Sequence, residues 1–151
     1  GVLLTWRNSR YIRAMPDLSR FHEAQAGTYD TALAELAAGA KVTHWMWFIF
    51  PQLRALGRSS TAEYYGIADL AEARAYLADP VLGPRLIACV RTLLGHKGAA
   101  PEAIMGPVDA KKLRSCATLF EAAGGGAEFG ERLDGFYGGR RCSRTLELLR
   151  L

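Results

Sequence analysis

Apolar positions along this chain recur at helical rather than strand spacing. Leu18, Phe21 and Gln25 share one face, and beyond Gly27 the stripe resumes through Tyr29, Leu33 and Leu36 as far as Gly39. Asp17 is placed to cap the first of these helices and Gly39 to end the second. A third helix is predicted over 41–50, stopping before Pro51 because proline drives the preceding residue out of the α region. Ser60-Thr61-Ala62-Glu63 and Asp69-Leu70-Ala71-Glu72 read as capping signals, the first opening a turn to Gly66 and the second a helix to Ala78. Leu82, Leu86, Cys89 and Leu93 then mark an amphipathic helix that runs to Gly95 and tolerates Pro84 near its first turn. Pro101 opens a short turn, and Asp109 is expected to cap a helix that buries Leu113, Cys116, Ala117 and Phe120 before three glycines, 124–126, end it. Phe129, Leu133, Phe136 and Tyr137 form the next stripe. Gly138-Gly139 stops it, and Ser143 or Cys142 caps a terminal helix carrying Leu146 and Leu149.

Composition agrees with this pattern. Ala and Leu number 44 against 10 for Val and Ile, so helix formers dominate strand formers. The expected fold is all-α: a compact single-domain bundle of about eight short helices with no sheet. Trp45, Phe48, Leu86, Leu113, Phe120 and Leu133 should share one core.

The formal charge of +4 changes meaning once it is located. Arg7, Arg10 and Arg13 lie in residues 1–14, which contain no acid, and removing them leaves the body at +1. A nearly balanced body argues against dedicated nucleic-acid binding, which draws its affinity from clustered cations. Residues 1–14 also lack a helix pattern and read as a leader or tail, disordered or non-native and dispensable for folding, ahead of a single helical domain over 15–151. The longest apolar run, Trp45 to Phe50, has six residues and is too short for a membrane span. Cys89, Cys116 and Cys142 are isolated, which suits a reducing cytoplasm, and His22, His44 and His96 show no zinc spacing, so neither metal nor cofactor is expected.

Two stretches carry candidate chemistry. In His44-Trp45-Met46-Trp47-Phe48-Ile49-Phe50-Pro51-Gln52 the aromatic density exceeds what one helix face can bury. It forms either a central core helix or one whose edge, His44 with Trp47 and Gln52, lines a cleft. There Trp47 would stack a flat ligand and the His44 imidazole would act as the catalytic acid or base. In Gly106-Pro107-Val108-Asp109-Ala110-Lys111-Lys112-Leu113-Arg114-Ser115 a turn enters a helix, and Lys112 with Ser115 at i, i+3 suits phosphate or carboxylate capture. Cations opposite an apolar stripe more commonly form a solvated face. The leading expectation joins both stretches in one pocket for a small anionic or nucleotide-like ligand. A protein-interaction module without catalysis is the alternative, and a nucleic-acid accessory role through Arg54, Arg58, Arg140 and Arg141 is the third reading.

The succession Asp17-Leu18-x-Arg20-Phe21 with Ala24-Gln25, the block His44 to Gln52, and Tyr65-Gly66-Ile67 resembles a bacterial family catalogued as domain of unknown function 1810. The likeness continues through Ala73-Arg74-Ala75-Tyr76-Leu77, Pro80 to Leu86, Lys112-Leu113-Arg114-Ser115 with Thr118-Leu119-Phe120, and Tyr137-Gly138-Gly139, spanning Asp17 to Leu149. The resemblance implies a compact all-helical fold and brings no established activity, cofactor or catalytic residue. Some members are labelled calpastatin. An inhibitory segment of that kind would be disordered, whereas this chain is rich in core residues.

Overall fold

The computed structural model describes residues 16–96 and 98–151. The predicted leader therefore lies outside the described residues. Nine α-helices and one 3₁₀ turn follow in chain order among them: α1 (Ser19–Ala26), α2 (Tyr29–Ala38), α3 (Met46–Ile49), the 3₁₀ turn (Arg54–Leu56), α4 (Ser60–Tyr65), α5 (Leu70–Ala78), α6 (Leu82–Leu94), α7 (Pro101–Ala122), α8 (Ala127–Tyr137) and α9 (Ser143–Leu149). The described residues contain no sheet, only an isolated parallel bridge between Leu53 and Ile67.

Helix α7 is the post around which the bundle is built. Its Leu113, Cys116, Ala117, Leu119 and Phe120 are buried. Phe120 packs against Tyr76 of α5, ring centres 5.3 Å apart, and against Phe129 of α8 at 5.9 Å. Helices α5 and α8 each bridge α6 and α7, while α2 packs on α6 through Ala32 and Leu36. Of the expected core residues only Phe48 is half-buried rather than buried, covering the rim beside Tyr65.

Several termini behave as their side chains require. Asp69 accepts the Glu72 N–H at 2.9 Å and starts α5, and Gly39, with φ of 70°, turns the end of α2 into the left-handed region. The cap of α4 is Ser59 rather than Ser60, accepting from Ala62 N at 3.1 Å. Asp17 binds the Ser19 N–H one position ahead of the helix.

Two predicted elements differ. The Pro101 turn is a helical stretch in its own right, and it meets the following helix at a kink at Gly106, φ 84° and ψ 163°, the two forming the halves of α7. Pro107 thus occupies the first position of the second half, where its missing N–H costs nothing, and Asp109 lies within the first turn instead of capping it. The predicted helix over 41–50 shrinks to Met46–Ile49, and the residues ahead of it are non-helical, tied instead to distant partners in Glu35 and Ile104. The Glu35 carboxylate accepts from Val42 N at 2.7 Å, Thr43 N at 2.9 Å, Thr43 Oγ1 at 2.6 Å and the Trp45 indole Nε1 at 3.0 Å. Lys41 N donates to Ile104 O at 2.8 Å, which ties the same segment to the first half of α7. Partial burial raises the Glu35 pKa, but the hydrogen bonds from Thr43, Val42 and Trp45 outweigh it and lower the carboxyl from 4.5 to about 2.

Two stability outcomes follow. Leu113→Ala should cost about 2–5 kcal/mol in urea denaturation through lost burial and the cavity left behind, and an unchanged midpoint would contradict the packing of α7. Glu35→Ala should cost about 1–3 kcal/mol, because the indole N–H of Trp45, 1% exposed, loses its acceptor. Since the folded pKa is depressed, the carboxylate's contribution is complete above the ordinary 4.5 and fades as pH falls towards 2. The stability gap between the parent and Glu35→Gln should therefore be larger at about pH 6 than at about pH 3, and a gap independent of pH would contradict it.

Candidate functional site

The chain between α2 and α3 leaves Gly39, crosses the Glu35 carboxylate and brings Lys41, His44 and Trp45 up against the second half of α7. A cavity of about 280 Å³ opens there, with Lys41, His44, Trp47, Ser59, Asp109 and Lys112 among its walls. Trp47 is half-buried and held edge-on by Gly57: a Cβ at Gly57 would meet the indole Cη2 at 3.0 Å and the Ala62 Cβ at 2.3 Å, so only glycine fits.

The cations are arranged around one carboxylate. Lys41 Nζ lies 2.9 Å from Asp109 Oδ2 and donates to Thr43 O at 2.7 Å, over the Trp45 ring at 4.7 Å; its side chain is only 7% exposed. Lys112 Nζ lies 3.4 Å from Asp109 Oδ1 and 4.6 Å from the centre of the Trp47 ring. Two ammonium groups thus share a single carboxylate, leaving the cavity one net positive charge before His44 is counted. His44 is exposed at the mouth, and Ser59 and Thr61 supply hydroxyls on the α4 side.

His44, Trp47 and Lys112 come together; Gln52 and Ser115 do not join them. Helix α3 ends at Ile49, with Phe50 and Pro51 following, so Gln52 leaves the helical face on which its spacing from Phe48 depended. It is 5% exposed, and its carbonyl accepts from Ile67 N at 2.9 Å. Ser115 is 8% exposed and joins α7 to α9, its hydroxyl donating to Lys111 O at 3.1 Å and to Cys142 Sγ at 3.3 Å. Lys112 reaches Trp47 because helical side chains lean towards the N-terminus and its stem is long, whereas the short Ser115 stays at the α9 interface.

Lys41 and Asp109 are the wall residues whose role the sequence left unmarked. Asp109 and Lys112 stand at i, i+3, a legible spacing, but nothing local announces a partner for Asp109 in the segment after α2. Elsewhere the candidates weaken. Arg141 is engaged by Glu121 at 2.7 Å and Asp134 at 3.0 Å, so it contributes little free charge to a basic face. Burial pushes the Cys116 thiol well above its usual range and Cys89 up to about 12, which leaves both inert. Among the described residues no group of three or more His, Cys, Asp or Glu is placed to hold a metal, and no helix is long and apolar enough to cross a membrane.

Comparison with known proteins bears on the whole domain. No curated protein matches the chain. A solved structure, the conserved hypothetical protein Rv1873 from Mycobacterium tuberculosis, superposes with a TM-score of 0.87 at 47% sequence identity, covering 89% of this chain and 97% of that one. The family model described as "Protein of unknown function (DUF1810)" matches residues 15–149, from the residue before Pro16 to the last residue of α9. With that span matched and nearly half of its residues shared with a protein of the same fold, the chain belongs to the DUF1810 family.

Proposed function

We propose that the cavity between the 41–47 segment and α7 binds a small planar molecule carrying one anionic group. One observation carries this reading: two ammonium groups and a half-buried indole, contributed by distant parts of the chain, face one cavity that holds a single carboxylate. Lys41 is fully engaged and forms a fixed positive background. Lys112 is held by a longer contact to Asp109 and by the Trp47 ring, so an incoming carboxylate or phosphate oxygen exchanges with Asp109 Oδ1 for its ammonium. Ser59 and Thr61 offer neutral hydrogen bonds to the rest of the ligand. A volume of about 280 Å³ lies just below the range of roughly 300–1,000 Å³ typical of drug-sized ligands. A ring with one anionic group suits it, whereas a dinucleotide is too large.

His44 is the imidazole on the cavity wall, and in this reading it is the proton-transfer residue for any reaction at a bound ligand. A protein-interaction module is favoured by a different observation. Val42 and Val108, the chain neighbours of Lys41 and Asp109, are 76% and 66% exposed and would suit an apolar rim contact.

Benzoate and phenyl phosphate are suitable probes, with benzamide as the uncharged control. Either anion should bind the parent measurably in calorimetry, and Lys112→Met should weaken it roughly 10- to 100-fold, the loss of one charge-assisted hydrogen bond. Stability should change by no more than about 0.5 kcal/mol, because the contact to Asp109 is long and Asp109 keeps Lys41 as its closer partner. Binding of neither anion, or equal affinity in Lys112→Met, would overturn the proposal.

A further inference from the structure

A second cation, remote in sequence from that cavity, is more deeply buried than any of its walls require. Arg132, on α8, is 5% exposed and is the one lysine or arginine buried as a whole residue among those described. The other strongly held arginines have carboxylates: Arg20 has Glu72, Arg91 has Glu128, and Arg141 has Glu121 and Asp134. Arg132 instead donates from Nη1 to Leu93 O, in the last turn of α6, at 3.2 Å, and sits with its guanidinium carbon 4.3 Å from the centre of the Phe136 ring. Its Nε is buried and has no acceptor among the described residues.

A helix C-terminal carbonyl and an aromatic face both favour a cation. They satisfy one of five N–H donors and supply no full negative charge, while an unpaired buried charge ordinarily costs several kcal/mol. The nearby Glu131 carboxylate acts only from a distance, and burial holds the guanidinium below the usual arginine range.

Space adjoins the guanidinium. A cavity of about 240 Å³ is lined by His96, Gly98, Arg132, Gly135 and Phe136. His96 is fixed as a wall by its Nε2, which donates to Leu36 O at 2.8 Å and so carries the proton. Gly135 keeps the approach to Arg132 clear, since a Cβ there would lie 3.0 Å from Nη2. We infer that this cavity is a second anion site, in which Arg132 receives the oxyanion of a small ligand, carboxylate or phosphate, between the planar walls of His96 and Phe136. It is independent of the Trp47 cavity and stands whether or not that cavity binds a ligand.

The test uses the full chain, with inorganic phosphate and acetate added at ionic strength balanced by sodium chloride. Either anion should raise the melting temperature saturably, by roughly 5–10 °C at a hundredfold excess over its dissociation constant. A general kosmotropic effect of phosphate would instead grow without saturation and appear in every variant. A saturable rise should persist in Lys112→Met, in which the Trp47 cavity is disabled, and the double variant Lys112→Met/Arg132→Gln should lose it. The anion that responds tells a phosphate site from a carboxylate site. Because Arg132→Gln also removes the bond to Leu93 O, the parent is titrated in parallel and the arginine Nε–H resonances followed. That of Arg132 should move saturably while that of Arg91 does not. No saturable response to either anion, the same rise in the folded double variant, or an unmoved Arg132 resonance would overturn the inference.

Discussion

The Glu35 carboxylate holds the part of this molecule on which the candidate site depends. It takes four donors from the segment after α2, and each has a consequence. The Val42 and Thr43 amides are bonded to it in a non-helical segment that runs up to Met46, where α3 begins. With the Trp45 indole N–H satisfied, a large ring can be buried at the base of the site. Lys41 is then positioned to meet Ile104 through its backbone and Asp109 through its ammonium, joining the segment to both halves of the kinked α7. A carboxylate that accepts four hydrogen bonds favours its charged form strongly, which is why its pKa falls although burial opposes the fall.

The helical framework was legible because it rests on local signals: 3.6-residue stripes, Asp69 as a cap, glycines at 39 and 138 where the backbone turns left-handed. The failures come where a distant group overrides those signals. Nothing within 41–45 indicates that Glu35 and Ile104 will tie that segment down in a non-helical course. Gly106-Pro107 reads as a turn, and Gly106 is non-helical, so what differs is the length of helix ahead of the break, which starts at Pro101. The candidate site was legible in the same proportion. His44, Trp47 and Lys112 stood out by residue type and do share a cavity; Gln52 and Ser115 were chosen by helical spacing and failed because α3 ends early and α9 claims the other face of α7. Arg132 gave no sequence signal, since one arginine in a polar stripe looks solvated until the end of α6 and the Phe136 ring close over it.

The two cavities solve the problem of a buried cation differently. At Trp47 the protein supplies its own carboxylate, so the anion of the proposed ligand would compete with Asp109 and find only the excess charge. Such a site favours weak, exchangeable binding and discriminates by shape as much as by charge. At Arg132 the compensation is a carbonyl and a ring face, so the first true counter-charge would come from outside.

The most direct measurement of the Trp47 site is the indole region of a proton–nitrogen correlation spectrum during titration with benzoate. The Trp47 Nε1–H should shift saturably with the ligand, while the Trp45 Nε1–H, which also belongs to a cavity wall but is fixed to Glu35 at 3.0 Å, should move much less. A titration in which Trp47 does not move, or in which Trp45 moves as far, would contradict a preformed cavity held by Glu35.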